Sequence, residues 1–486
     1  KPIIRIFENG HQVVNLPVEL VVDGIDALLR LQPGIDHEPA VRSGDHVWEG
    51  EPESVARHRD LELEDVIEPL ERAMELTPIL AELGFNESHS FNGLLQTTTD
   101  GGPSMGESRK VRGLWYAVAI WVKDAPGMAK LIADWMTDGR THIDHHGIDY
   151  SRFQDYQLTE DFIWGRCEET AKKIYNPPVH PREPFSKGRN IRRSPFWERE
   201  KDLGAHFMEL GGWERAHGYA CNEHLLEKYG DRVPVRANEW DNRHFWRVSN
   251  AEQLEMSNDC AIINLSHFHI TDIEGPDHVA LMEWLCAAKI GGDGNIGKGI
   301  YTHMLDDEGM VRADFTVFRM GDRIRMVNGA DAGPRDLMYM RRTAQDRGLD
   351  VTITDVTEKF TTIGIWGPNA RETLKKVVAD PAGLDIESFP FAAIKPIEIA
   401  GKTVTAFRIS YVGEQGWELH MPYEDGLAVW DALRDAGGII DLFFQRLAFD
   451  QVLILHHARG FGDDRQAERI PFCQTIAFLH LAAILV

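Results

Sequence analysis

The stretch RISYVGEQGWELHMP, Arg408 to Pro422, sets a carboxylate, Glu414, between two glycines, Gly413 and Gly416. Ile409, Tyr411 and Val412 precede it, and Trp417 and Leu419 follow. Strand-forming residues on both sides of a glycine-rich turn are a hairpin signal. A solvated turn glutamate and a carboxylate aimed at a ligand both fit this pattern, and periodicity does not separate them.

Working outward, the chain is regular from about residue 235. Strands are predicted over 261–275, 311–329, 360–367 and 403–412, and helices over 277–289, 334–348, 369–378 and 425–437. Two segments echo each other: ITDIEGPDHVALMEWL and TIGIWGPNARETLKKV both read as strand, Gly-Pro turn and amphipathic helix. The echo implies two related αβ units in one domain of α+β class.

Within this region YTHMLDDEGMVRADFTVFRM, 301–320, reads as two strands joined at DDEG. Asp314 then falls inside the second strand, where an acid is costly unless paired or functional. The plainer reading is an edge-strand residue facing water. His267 and His269 alternate with apolar residues and are expected to share one strand face. The run GGDGNIGKG, 291–299, contains G-x-G-x-x-G but follows a helix and precedes a strand, the wrong context for a phosphate loop.

Upstream, a helix is predicted over 63–85, a loop over 97–107, a buried strand over 113–122 and a helix over 125–139 ending at Gly139. Residues 155–230 are rich in Pro, Arg and aromatics and read as an extended connector. The histidines of THIDHHGIDYSRF, 141–153, read as solvated loop residues, so no metal site is expected.

The full chain has 486 residues, 43% hydrophobic and 27% charged, with a formal net charge of −25. That acidity argues against nucleic acid or an anionic membrane as partner. Five dispersed cysteines, with no signal-peptide pattern in KPIIRIFENG, fit a reducing compartment. The C-terminal run TIAFLHLAAILV is too short to span a bilayer.

YTHMLDDEGMVRADFTV, IWGPNARETL and SYVGEQGWELHMPYEDGLAVWDAL resemble the folate-binding domain of aminomethyltransferases such as the glycine cleavage T-protein. That domain also forms the C-terminal half of dimethylglycine and sarcosine dehydrogenases. DGGPSMGESRKVRGLWYAVAIWV and IDYSRF resemble the end of the flavin-dependent amine oxidase module of those dehydrogenases, and GRNIRRSPFWEREKDLGAHFMELGGWERAHGY resembles the segment joining the two modules. The resemblance implies a partial flavin module over 1–155, a connector over 156–230, a T-protein-like folate domain of mixed antiparallel sheets and helices over 231–445 and a divergent tail over 446–486.

It implies oxidative N-demethylation of a methylated amine such as dimethylglycine or sarcosine, with the one-carbon unit passed to tetrahydrofolate. In the family motif Asp314 takes the catalytic position, Glu414 the pterin-binding one, and Tyr301 and Tyr411 line the folate pocket. FAD is the implied second cofactor, but its glycine-rich fingerprint is expected upstream of residue 1, and Leu453 and Leu455 stand where the family carries Arg and Glu. Two other readings follow: a folate-dependent transferase without flavin oxidation, and a non-catalytic subunit beside a flavoprotein partner. A homo-oligomer is also compatible. The implied compartment is cytoplasmic, or the mitochondrial matrix in a eukaryote.

Overall fold

The computed structural model describes residues 3–8, 12–17, 58–59, 63–83, 92–93, 96–175, 180, 183–240, 243–410, 415–437 and 439–440. The chain divides into two compact units, Lys1–Pro177 and Pro178–Val486.

In the first unit the helix predicted over 63–85 is two helices, Leu63–Leu76 and Ile79–Leu83, because Pro78 lacks an N–H and disfavours helical geometry at Thr77. The loop predicted over 97–107 gives way at Ser104–Glu107 to a strand pairing with Trp115–Val118. This ribbon has only two strands, so Trp115–Val118 is half-exposed rather than buried as expected. The helix Ala125–Asp138 ends at Gly139, whose φ of 73° supplies the left-handed stop. A 16-residue helix, Glu160–Tyr175, replaces the first part of the expected extended connector. His145 corrects the solvated reading: it is buried, its Nδ1 lies 2.6 Å from Thr141 Oγ1, and its ring packs on Trp135.

The second unit opens with helix α1 (Trp197–Asp202) and a hairpin of β1 (Ala205–Leu210) and β2 (Trp213–Tyr219), then helix α2 (Trp246–Asn258) and β3 (Ala261–Asn264). There follow β4 (His269–Glu274), α3 (His278–Leu285), β5 (Lys298–Leu305), β6 (Val311–Arg319), β7 (Ile324–Asn328), α4 (Gly333–Asp346) and β8 (Thr352–Asp355). The last described elements are β9 (Phe360–Trp366), α5 (Ala370–Lys375), β10 (Ile394–Ile399), β11 (Lys402–Phe407), β12 (Gly416–Pro422), α6 (Gly426–Asp435) and β13 (Ile439–Ile440).

These strands form a five-stranded sheet, β5-β6-β7-β4-β8, and a six-stranded sheet, β10-β11-β12-β9-β3-β13. Helices α3 and α4 pack on one face of the first sheet over Ile273, Met304, Phe315, Val317 and Met326. Helices α5 and α6 pack on one face of the second over Ile262, Ile363, Ile365, Trp417 and Leu419. The sequence echo is therefore real, since β4–α3 lies in one sheet and β9–α5 in the other. Both turns use a glycine with positive φ, Gly275 at 107° and Gly367 at 131°. A Cβ at Gly367 would lie 2.2 Å from the Asp259 carbonyl oxygen, so the turn requires glycine there.

A buried acid ties α1 to both neighbours. Glu200 is fully buried and accepts from Tyr219 Oη on β2 at 2.9 Å and from Asn264 Nδ2 on β3 at 3.0 and 3.1 Å. Burial pushes its carboxyl up to about 7, against hydrogen bonds from Tyr219, Asn264 and Ser194 that lower it.

Candidate functional site

Alternation along β6 sends Ala313, Phe315 and Val317 into the helix-covered core and leaves Asp314, Thr316 and Phe318 on the opposite face. Strand β6 lies between β5 and β7, but its pairing with β7 begins only at Thr316, so Asp314 is paired on one side, with His303, and keeps the one-sided position of the plainer reading. It is half-buried, and Tyr301 on β5 donates its hydroxyl to Asp314 Oδ2 at 2.9 Å. Burial, together with the Asp314 carboxylate, pushes the Tyr301 phenol well above its usual range, so it stays a donor. His303 stands directly opposite Asp314 in the register, and its ring lies edge-on to Tyr301 at 5.5 Å.

The same face of β6 closes at Phe318. Its ring meets Phe407 of β11 and His420 of β12, each at 4.9 Å between centroids. The faces of the two sheets away from their helices therefore meet here. Gly299 makes the contact feasible, since a Cβ there would lie 2.2 Å from the Phe407 ring. The glycine run over 291–299 thus ends in a packing requirement. From Phe318 to Asp314 is four residues, about 13 Å along the strand.

The opening hairpin lies on the six-stranded sheet. Strands β11 and β12 pair antiparallel, Thr405 with His420 and Phe407 with Glu418, as the turn signal predicted. Gly416 is a strand residue whose missing side chain admits a neighbour: a Cβ there would meet Trp366 Cδ1 at 1.9 Å. Tyr411 and Glu414, like Leu453 and Leu455, lie outside the described residues. Of the four site residues read from sequence, the structure brings together Tyr301 and Asp314.

Sequence reasoning missed Glu418 and His420. Both are 1% exposed, on the β12 face turned from the α5–α6 core. His420 Nε2 lies 3.0 Å from Glu418 Oε2, and His420 Nδ1 lies 3.0 Å from Thr362 Oγ1 on β9. The other carboxylate oxygen, Glu418 Oε1, is buried without a hydrogen-bond partner among the described residues. The signal was present, because Glu418 is an acid inside the apolar run WELHM, the argument applied to Asp314. The other candidates take structural places. His269 begins β4 and pairs with Asp355 at 3.2 Å, whereas His267 precedes the strand, so they do not share a strand face. Among the described residues no cluster of three or more His, Cys, Asp or Glu could hold a metal ion, and no helix is long and apolar enough to cross a membrane.

Two helix-backed sheets with acids on their facing sides are the architecture of an aminomethyltransferase-type fold, and comparison with known families agrees. Residues 196–444 match the family described as GCVT N-terminal domain, and residues 138–194 match FAD dependent oxidoreductase central domain. The chain belongs to the GCVT N-terminal domain family. It is 28% identical over 399 residues to 4-methylaminobutanoate oxidase (formaldehyde-forming) of Paenarthrobacter nicotinovorans, covering 80% of this chain and 46% of that protein. It is also 28% identical to human mitochondrial dimethylglycine dehydrogenase, covering 77% and 42%, and to human mitochondrial sarcosine dehydrogenase, covering 86% and 49%. The chain thus spans less than half the length of these relatives. The resemblance read from its motifs, and the α+β class, are borne out.

Proposed function

We propose that the second unit binds tetrahydrofolate and transfers to it a one-carbon unit derived from the N-methyl group of an amine such as dimethylglycine or sarcosine. The observation that carries this reading is Glu418. A carboxylate buried to 99% with one bare oxygen is costly unless a donor ligand completes it, and the edge of a pterin presents N–H donors. The three relatives named above, all oxidases or dehydrogenases of methylated amines by name, support the substrate class.

Tetrahydrofolate, when bound, supplies the amine nitrogens that take up the carbon. Asp314 serves as the base, accepting the proton a folate amine loses as its bond to that carbon forms, and its charge stabilises the cationic donor. Tyr301 fixes Oδ2, so Oδ1 would be the oxygen that takes the proton. Glu418 anchors the pterin, and Glu414 and Tyr411, from their places in the motif, complete the pocket.

Among the described residues of the first unit no glycine-rich turn joins a strand to a helix as in a dinucleotide-binding fold. In the first unit the strand Trp115–Val118 runs into the helix Ala125–Asp138 through Trp121, Lys123 and Asp124. The Asp124 carboxylate at the helix start is paired with Lys123 Nζ, 2.9 Å from both of its oxygens. No step is therefore routed through flavin here. The oxidised carbon comes from a flavin-bearing segment or a flavoprotein partner. Calorimetric titration with tetrahydrofolate tests the reading: binding that is lost in Glu418→Ala and in Glu414→Ala supports it, and absence of binding in the unaltered chain overturns it.

A further inference from the structure

We infer that His420, held by Thr362, is the positioning residue that fixes Glu418 as a ligand acceptor. The inference rests on the reading that Glu418 receives a donor from folate. Thr362 is fully buried, and His420 is its hydroxyl's one hydrogen-bond partner among the described residues. An ionised Glu418 only accepts, so His420 Nε2 must carry the proton that points at Oε2. A neutral ring then takes the Thr362 O–H at Nδ1, and all three groups are satisfied. A charged ring would carry a proton at Nδ1 and leave the Thr362 proton without an acceptor. Hydrogen bonding therefore assigns the neutral tautomer protonated at Nε2.

Two consequences follow. Through this contact His420 gives Glu418 one donor, on Oε2, and leaves Oε1 to a ligand. The single donor on Oε2 also fixes the carboxylate plane, so the lone pairs of Oε1 are presented in one direction before binding. The edge of Phe318 against the His420 ring, at 4.9 Å, limits rotation of the imidazole. The relay Thr362–His420–Glu418 thus crosses from β9 to β12 and ends on the carboxylate whose Oε1 has no hydrogen-bond partner among the described residues.

A double-mutant cycle on tetrahydrofolate affinity tests this. His420→Leu keeps volume and removes the donor; it is expected to weaken binding at least tenfold. His420→Gln keeps an N–H near the Nε2 position and is expected to stay within about threefold of the unaltered chain. Glu418→Ala weakens binding by itself, and adding His420→Leu to it should cost nothing further. Additive losses, or equal losses in the Leu and Gln variants, overturn the positioning role while leaving the folate reading in place. An unaltered chain that does not bind tetrahydrofolate, or a Glu418→Ala variant that binds as well, overturns the folate reading and the role with it.

Discussion

Replacing Glu200 by Gln should change how the stability of the second unit depends on pH. In the folded chain this carboxyl is raised from 4.5 to about 7, chiefly by burial. The folded state therefore holds a proton across that interval while the unfolded state has released it. Stability from this group is fully present below pH 4.5, falls as pH rises toward 7, and is gone above it. At about 1.4 kcal/mol per pH unit the total is about 3 kcal/mol, and no discount for solvent screening applies because Glu200 is fully buried. Gln at this position has no proton to release, and its carbonyl still accepts from Tyr219. Urea unfolding, followed by the fluorescence of Trp366, Trp417 and Trp430 in this unit, should be measured from pH 4.5 to 8. The unaltered chain should lose about 3 kcal/mol relative to Glu200→Gln across that range. Parallel pH curves for the two proteins would refute the assignment of a neutral, buried Glu200.

Two further outcomes are expected. Tyr301→Phe removes the donor to Asp314, a bond to a charged group worth about 1.5–3 kcal/mol, so one-carbon transfer to tetrahydrofolate should slow at least tenfold and the melting temperature should fall by several degrees. Gly416→Ala forces a methyl group into the Trp366 ring and should destabilise the second unit by about 2–3 kcal/mol in denaturant titrations.

These residues also show what the sequence made legible. Alternation and turn residues located the helices from residue 261 onward to within a few positions, but the runs 261–275 and 311–329 each hold two strands, and β8 and β10 were not anticipated. Asp314 stood out because an acid inside an apolar strand is costly. Its neighbours did not, since pairing with Tyr301 and standing opposite His303 depend on register, which no local pattern fixes. At the opening hairpin the two glycines drew attention to Glu414. Gly416 is there because Trp366 occupies the space, a contact between strands fifty residues apart in sequence. Glu418 carried the same signal as Asp314 two residues beyond that glycine. Its burial, its bare oxygen and the His420 relay arise only once β9, β11 and β12 are side by side. In the first unit periodicity spanned Pro78 and made one helix of two, and the short ribbon 104–118 lacked the length to show a strand pattern.

The central claim is that the facing sides of the two sheets form a folate site built on Asp314 and Glu418. The most direct measurement is the dissociation constant of tetrahydrofolate by anaerobic calorimetry for the unaltered chain, Glu418→Ala and Asp314→Ala. Saturable one-to-one binding is expected, weakened at least tenfold by Glu418→Ala and changed far less by Asp314→Ala, whose loss falls on transfer. No binding by the unaltered chain, or equal affinity in Glu418→Ala, would contradict it.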